Sequence, residues 1–422
     1  MGNGFVMSSP RACRSPLVLL SALSFGLLST ACSQMATPAP VAVLPASQVA
    51  PAQAQVSRDL FAELLGRSSA EVDARIAATF QQLFHGDDAT QRVYYPVGGD
   101  SAYILDTGNV DVRSEGMSYG MMIAVQLGKR EEFDRLWTWA KRHMLHTSGP
   151  RSGYFAWQCR PDGSQIDPGQ APDGEEWFVT ALFLASRTWG DVSGKINYRA
   201  DAQAILDAIM AKPTGSGEVR SSFDRNHKQV VFSPSPGASQ FTDPSYHLPA
   251  FYEQWAREAA RDQQFWREVA VESRAFFKRA AHPVTGLMPE YAEFDGRPRF
   301  GGGREDFRFD AWRVLANVAM DHAHAKHDPW NVEQSNRVLR FLLSQKPTYV
   351  DQFSLEGKPL STDSSIGLTA MAAVAGLAAD PDLARPFVKE LWEAPVPSGK
   401  WRYYNGLLYM LGMLQASGRF RL

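Results

Sequence analysis

An all-α barrel of about twelve helices is the architecture this 422-residue sequence predicts, and three observations carry it. Apolar residues recur at three- and four-residue spacing almost throughout the body of the chain. The stretches between those runs are punctuated by Gly, Pro, Asn and Asp, as in RPDGSQIDPGQAPDG and EFDGRPRFGGGRED. No fixed period relates one run to the next, so helical hairpins closing into an (α/α) toroid fit better than an open solenoid.

At the start, Arg11 and Arg14 precede the apolar run PLVLLSALSFGLL, and STAC follows in small residues. Residues 1–31 therefore read as a secretory signal peptide rather than a membrane span. Cys32 is either the lipid-carrying cysteine of a bacterial lipoprotein, with Ser29 where that signal usually has Leu, or the residue that follows a plain cleavage at Ala31. The expected location is outside the cytoplasm, periplasmic or anchored at the outer membrane. Myristoylation is excluded, because Val6 and Met7 stand where that motif wants Ser or Thr. Residues 32–57 are uncharged and rich in Ala, Pro, Gln and Val, the composition of a flexible tether. Residues 58–422 contain no second linker and read as one large domain.

Within that domain the helical runs follow in order. The first is DLFAELLGRSSAEVDARIAATFQQLF. MMIAVQLGKREEFDRLWTWAKRHM breaks into two at Gly128. EEWFVTALFLASRTW, YRADAQAILDAIMA, PSYHLPAFYEQWAREA and QFWREVAVESRAFFKRAA come next. DAWRVLANVAMDHAHA, NVEQSNRVLRFLLSQ, IGLTAMAAVAGLAA, LARPFVKELWEA and YYNGLLYMLGMLQA complete the set. Cys159 is the one cysteine of the body, which rules out an internal disulfide framework. A net charge of -2 with 21% charged residues provides no basic field for nucleic acid.

Three carboxylates stand at helix starts beside aromatics or glycine. Glu115 lies in SEGMSYGMMIAV, where Gly116 and Gly120 each cost roughly 1 kcal/mol against alanine in a helix interior. Asp173 lies in APDGEEWF and Asp310 in DFRFDAWRVLANV. Each has a bland explanation. Ser114 can cap a helix with Glu115 in its first turn, Asp173 and Glu176 have capping-box spacing, and Asp310 can occupy a first turn. These explanations leave one thing over: parallel helices around a barrel would bring all three carboxylates together.

SEGMSYGMM, APDGEEWFVTALFLASRTW and FDAWRVLANV, in this order, resemble glycoside hydrolase family 8, inverting enzymes of the (α/α)6 barrel. YFAWQCRPDG, FTDPSYHLPAFYE, HPVTGLMPEY and KWRYYNGLLYMLGML resemble its branch that releases xylose from the reducing end of xylo-oligosaccharides. The resemblance implies that Glu115 is the general acid and Asp310 the general base. It implies that Asp173 helps bind and distort the sugar, although Pro172 and Glu175 depart from the family's pattern there. Tyr246 is implied to help Asp310 hold the attacking water, and Tyr119, Trp177, Trp312, Arg313 and Tyr403 complete the expected substrate-binding set. Trp157 and Tyr404 offer further flat faces for sugar rings. A xylo-oligosaccharide or related β-1,4-glycan is the expected substrate, with no cofactor and no metal.

The chemistry asks for two carboxyl groups because glycoside cleavage passes through an oxocarbenium-like state. One carboxyl protonates the leaving oxygen, and the other activates water on the opposite face. Burial raises the acid's pKa so that it keeps its proton. Gly116 and Gly120 would let a sugar or a neighbouring chain approach Glu115. Endo-xylanase, endo-β-1,4-glucanase and chitosanase activities of the same family are alternatives. So is a non-catalytic secreted carbohydrate-binding protein, which has no reason to keep both Glu115 and Asp310. The xylose-releasing branch is implied to close its cleft with a Leu-His-Pro element, but here Pro359 to Ser365 contain no His-Pro. DHAHAKHD, with His324 and His327 three apart, includes Lys326 and reads as a polar helix end rather than a metal site. FGGGRED lacks the Lys-Ser/Thr of a phosphate loop.

Overall fold

The computed structural model describes residues 58–191, 196–325 and 328–422. The signal, the tether and His327 lie outside the described residues. Thirteen α-helices occur among the described residues. They are α1 Leu60–Leu65, α2 Ser69–His85, α3 Ser114–Gln126, α4 Arg130–His143, α5 Pro172–Trp189, α6 Tyr198–Ala211, α7 Pro249–Glu258, α8 Gln263–Ala280, α9 Arg313–His324, α10 Trp330–Ser344, α11 Ile366–Ala375, α12 Pro381–Glu393 and α13 Arg402–Ala416. The surplus over the expected twelve is α1. Gly66, at φ 67°, closes α1 in the left-handed conformation, and its N–H and that of Arg67 reach back to Ala62 and Phe61.

Helices α3, α5, α7, α9, α11 and α13 pack each on the next, and α13 returns to α3, so the inner ring closes. Outside it, α4, α6, α8, α10 and α12 each back onto the inner helix before them, and α2 backs onto α13. This is the (α/α)6 barrel. The division follows from side chains. In α3, α5, α11 and α13 nearly every position is buried, whereas α4 buries Phe133, Leu136, Trp137, Trp139 and Ala140 and leaves its charged residues outward. Burying such a Phe or Leu side chain contributes about 1.5–3 kcal/mol. Inner helices approach closely where side chains are small: a Cβ on Gly412 of α13 would lie 2.9 Å from that of Ala370 on α11.

Short strand pairs that helical periodicity does not signal shape one end of the barrel. Strand β1 (Tyr94–Val97) pairs antiparallel with β2 (Ser101–Ile104). Strand β3 (Val112–Arg113) pairs with β4 (Gln158–Cys159), which pairs with β5 (Gln165–Asp167). Strand β6 (Phe223–Asp224) pairs with β7 (Gln229–Val230). The run PSYHLPAFYEQWAREA is not one helix: Pro244–Tyr246 form a 3-10 turn, and α7 starts only at Pro249, because a residue preceding proline resists the helical conformation.

Candidate active site

The starts of the inner helices gather at one end of the barrel, and the guanidinium of Arg313 sits among them. Its Nη1 donates to Glu115 Oε2 at 3.0 Å, to Asp173 Oδ2 at 2.9 Å and to Tyr119 OH at 2.6 Å. Its Nη2 donates to Ser245 Oγ at 2.9 Å and pairs with Asp310 Oδ1 at 3.2 Å. One cation thus joins α3, α5, the turn before α7 and the start of α9. All three suspected carboxylates meet on it.

Glu115 and Asp173 occupy first turns, as the simple reading had it, but the caps assigned to them are not formed. Arg113, not Ser114, is the N-cap of α3, and α5 starts at Pro172 without a side-chain cap. Glu176 instead accepts from Tyr252 OH, and Asp173 Oδ1 accepts from the Gly174 N–H at 2.9 Å. Asp310 lies in a 3-10 turn, Phe309–Trp312, that leads into α9.

Burial pushes the Glu115 carboxyl up to about 7; the Arg313 charge opposes this, and the negative charges of Asp173 and Asp310 add to it. Tyr403 OH donates to Glu115 Oε1 at 2.9 Å. Burial likewise raises Asp173, against the pull of Arg313. Asp310 is the most open of the three, with its side chain 29% exposed against 16% and 6% for Glu115 and Asp173. Arg313 holds Glu115 at 3.0 Å and Asp310 at 3.2 Å on its two terminal nitrogens. The fork of a guanidinium then keeps the two carboxyl groups within roughly 8.5 Å of one another. An upper bound of that size is compatible with the separation of roughly 6.5–9.5 Å that leaves room for a water between two carboxyl groups.

Above these groups opens a cavity of about 920 Å³. Glu115, Asp310, Tyr246, Tyr403, Tyr404 and Trp157 line it, as the sequence reading leads one to expect. Arg313, Asp173, Tyr119, Trp177 and Trp312 are not among its lining residues, and all five are buried. Arg313 and Asp173 lie beneath the cavity wall, 2.9 Å apart, and Arg313 also holds Glu115 and Asp310. Tyr119 stands one helical turn below Glu115, fully buried, with the edge of Trp177 against it at 4.8 Å between ring centres. Trp177, one turn below Asp173, also packs on Phe251. Trp312 points away from the cavity, its Nε1 donating to the Asp351 carbonyl at 2.9 Å. The glycines admit protein, not sugar: a Cβ on Gly116 would lie 2.5 Å from the Tyr403 ring, and one on Gly120 would meet Ile104 at 2.8 Å.

Several lining residues escaped the sequence reading. Arg113 pairs with Asp106 at 3.1 Å and Asp111 at 3.0 Å, and the β3–β4 pairing sets it beside Trp157, whose carbonyl accepts from Ser114 N–H. Glu290 sits beside Asp310 on the cavity wall, ion-paired with Arg304, and burial with the Asp310 charge raises it to about 7. Phe309, at φ 38°, is a non-glycine residue in the left-handed region, and Tyr404 OH donates to its carbonyl at 3.2 Å. Strained backbone of this kind clusters at functional sites. GLMPEY and RFGGGRED hold Glu290 and Arg304, and nothing in their periodicity points inward. In the DHAHAKHD run, whose His327 lies outside the described residues, Asp321 is taken by Arg274 at 2.7 Å.

The family described as Glycosyl hydrolases family 8 matches residues 99–418. The chain is 47% identical to the reducing-end xylose-releasing exo-oligoxylanase Rex8A of Paenibacillus barcinonensis, over 83% of this chain and 93% of that one. It is 42% identical to the reducing end xylose-releasing exo-oligoxylanase of Halalkalibacterium halodurans, over 86% and 94% of the two. Among solved structures, Rex8A complexed with xylose superposes with a TM-score of 0.82 at 45% identity, covering 87% of this chain and 97% of that one. A xylohexaose complex of a catalytic mutant of the family 8 xylanase from Teredinibacter turnerae gives 0.84 at 42% identity, covering 86% and 97%.

Proposed function

The chain belongs to glycosyl hydrolase family 8, and from that premise we propose that it hydrolyses β-1,4-xylosidic bonds of xylo-oligosaccharides with inversion, releasing xylose from the reducing end. The observation that carries the chemistry is the Arg313 guanidinium holding a buried, proton-retaining Glu115 on one terminal nitrogen and a more open Asp310 on the other. Glu115 gives its proton to the glycosidic oxygen as the bond to the anomeric carbon breaks. Asp310 takes a proton from the water that attacks the same carbon from the opposite face. Arg313 supports the pair by opposing the negative charge that gathers when both carboxyl groups are ionised.

Release from the reducing end is supported by the 47% and 42% identity to enzymes named for that action. Brief incubation with xylohexaose should yield xylose and xylopentaose. Early xylobiose, xylotriose and xylotetraose without free xylose would replace exo by endo action and leave the hydrolysis intact. Endo cleavage is the second reading, favoured by one observation: Pro359 to Ser365 line none of the cavity, and Leu360 is 40% exposed.

Export belongs to the same proposal. Arg11, Arg14 and the apolar run support a signal peptide over residues 1–31, and Cys32 supports a lipid anchor after it. Fractionation should find the protein outside the cytoplasm, with Cys32→Ala releasing it from membranes. An intact Met1 terminus in the cytosol would reject both.

A further inference from the structure

We propose that Trp401 is the platform of an outer sugar-binding site at the exposed rim of the cavity, adding affinity for longer xylo-oligosaccharides; the substrate class rests on the reading above. Trp401 is 61% exposed, although it lines the cavity. A freely exposed indole at the surface costs apolar hydration unless a partner covers it.

The ring is held in place, not left loose. A Cβ on Gly108 would lie 2.4 Å from Cε3 and Cζ3 of Trp401, so the indole rests directly on the glycine backbone. Thr107 Oγ donates to the Lys400 carbonyl at 2.9 Å, which ties the turn beneath the ring to the segment that carries it. That turn is itself pinned: Asp106 Oδ1 accepts from the N–H groups of Gly108 at 2.9 Å and Asn109 at 3.2 Å. Val110, a β-branched residue at φ 61° and 64% exposed, marks the strain in it. On the other side, Arg402 fastens the start of α13 through the carbonyls of Asp88, Ala89, Arg92 and Gly399.

The wall from the acid to this ring is continuous. Arg113 lies over the Trp157 ring, 5.7 Å from its centre, and pairs with Asp106 at 3.1 Å, which in turn grips Gly108 under Trp401. Two aromatic faces are thus separated by the polar edges of Arg113, Asp106 and Asn109, all lining the cavity. Xylose in its chair form has equatorial hydroxyls and no hydroxymethyl group. Its C–H faces suit an indole and its rim suits carboxylate, amide and guanidinium groups. The Lys400 ammonium, 4.6 Å from the Trp401 ring centre on a flexible stem, gives way to a stacked sugar or donates to its hydroxyls.

The test uses the full-length protein carrying Glu115→Gln, so that ligand survives, and calorimetric titration with xylotriose and xylohexaose. Trp401→Ala should weaken xylohexaose binding roughly 3- to 10-fold, with a smaller loss for xylotriose. Trp401→Phe should recover most of it. Gly108→Ala, whose new Cβ displaces the ring, should weaken xylohexaose in the same direction. Unchanged xylohexaose affinity in Trp401→Ala overturns the platform while leaving the proposed function standing. Equal losses for both ligands would assign Trp401 to the inner site and also overturn it. If xylohexaose fails to bind even with Trp401 intact, the substrate reading falls and this site falls with it.

Discussion

Helix α9 carries two buried arginine clusters, one at each end, and they differ in how the charge is shared. Near its C-terminal end, Asp321 receives Arg274 of α8 bidentately, at 2.9 and 2.7 Å, and Asn331 of α10 donates to the same carboxylate at 3.0 Å. Arg274 gives its remaining terminal nitrogen to Glu253 of α7 at 3.0 Å. At the N-terminal end, Arg313 is shared by three carboxylates, Glu115, Asp173 and Asp310. Two paired anions around one guanidinium lock four helices together. Three anions in a buried space leave one of them better off protonated, and Glu115, raised to about 7 chiefly by burial, is that one. The residue types are the same; burial does most to raise Glu115 in the second cluster, and its extra negative charge adds to that.

The sharpest way to break this comparison is to remove the proton donor or the base. Glu115→Gln and Asp310→Asn should each cut turnover on xylo-oligosaccharides at least a thousand-fold, about 4 kcal/mol of barrier, with helical circular dichroism unchanged. Near wild-type turnover in either variant would remove that residue from its role. In fresh product, proton NMR should show the α-anomer first, and a β-anomer appearing first would sink the inverting mechanism.

The structural cluster should behave in the opposite way. Arg274→Met removes the guanidinium that Asp321 and Glu253 share and should destabilise the fold by about 3–5 kcal/mol in denaturant titration. Turnover per folded molecule should stay within about twofold. A large loss of turnover at unchanged stability would show that the two clusters are not divided as described.

The third expectation uses pH. With Glu115 as the proposed general acid, kcat/KM should fall about tenfold per pH unit above about 7. Its folded pKa lies above the ordinary value of 4.5 for a free Glu. Over that interval the folded state binds more protons than the unfolded state, so this group's contribution to stability declines as pH rises from 4.5 through 7. Glu115→Gln lacks that decline. The gain in Tm of the variant over the wild type should therefore widen between pH 5 and pH 8. A constant difference would place the Glu115 pKa near its ordinary value.

The smallest effect belongs to Tyr403. Its hydroxyl donates to Glu115 Oε1 at 2.9 Å, which favours the ionised carboxylate. Tyr403→Phe should move the alkaline limb of the activity profile upward by a fraction of a pH unit. A downward shift would mean that the hydroxyl supports the protonated form instead.

The helices were legible in the sequence because a helix that buries one face must repeat its apolar residues near every 3.6 positions, and that demand is local. Glu115 and Asp310 were legible as well, since each stands in a short motif at a helix start. What the sequence alone left undecided is who touches whom across the ring. Tyr119, Trp177 and Trp312 read as sugar-facing because they neighbour the carboxylates in the chain, yet a step of two to four residues along a helix turns or lowers a side chain out of the cavity. Arg113, Glu290, Arg304 and Trp401 come from strand edges and loops with no period of their own, and only closure of the barrel brings them to the same wall. The upward direction of the Glu115 pKa was expected from burial, but its size was out of reach, because burial and the charges of Arg313, Asp173 and Asp310 are set only when residues distant in sequence converge.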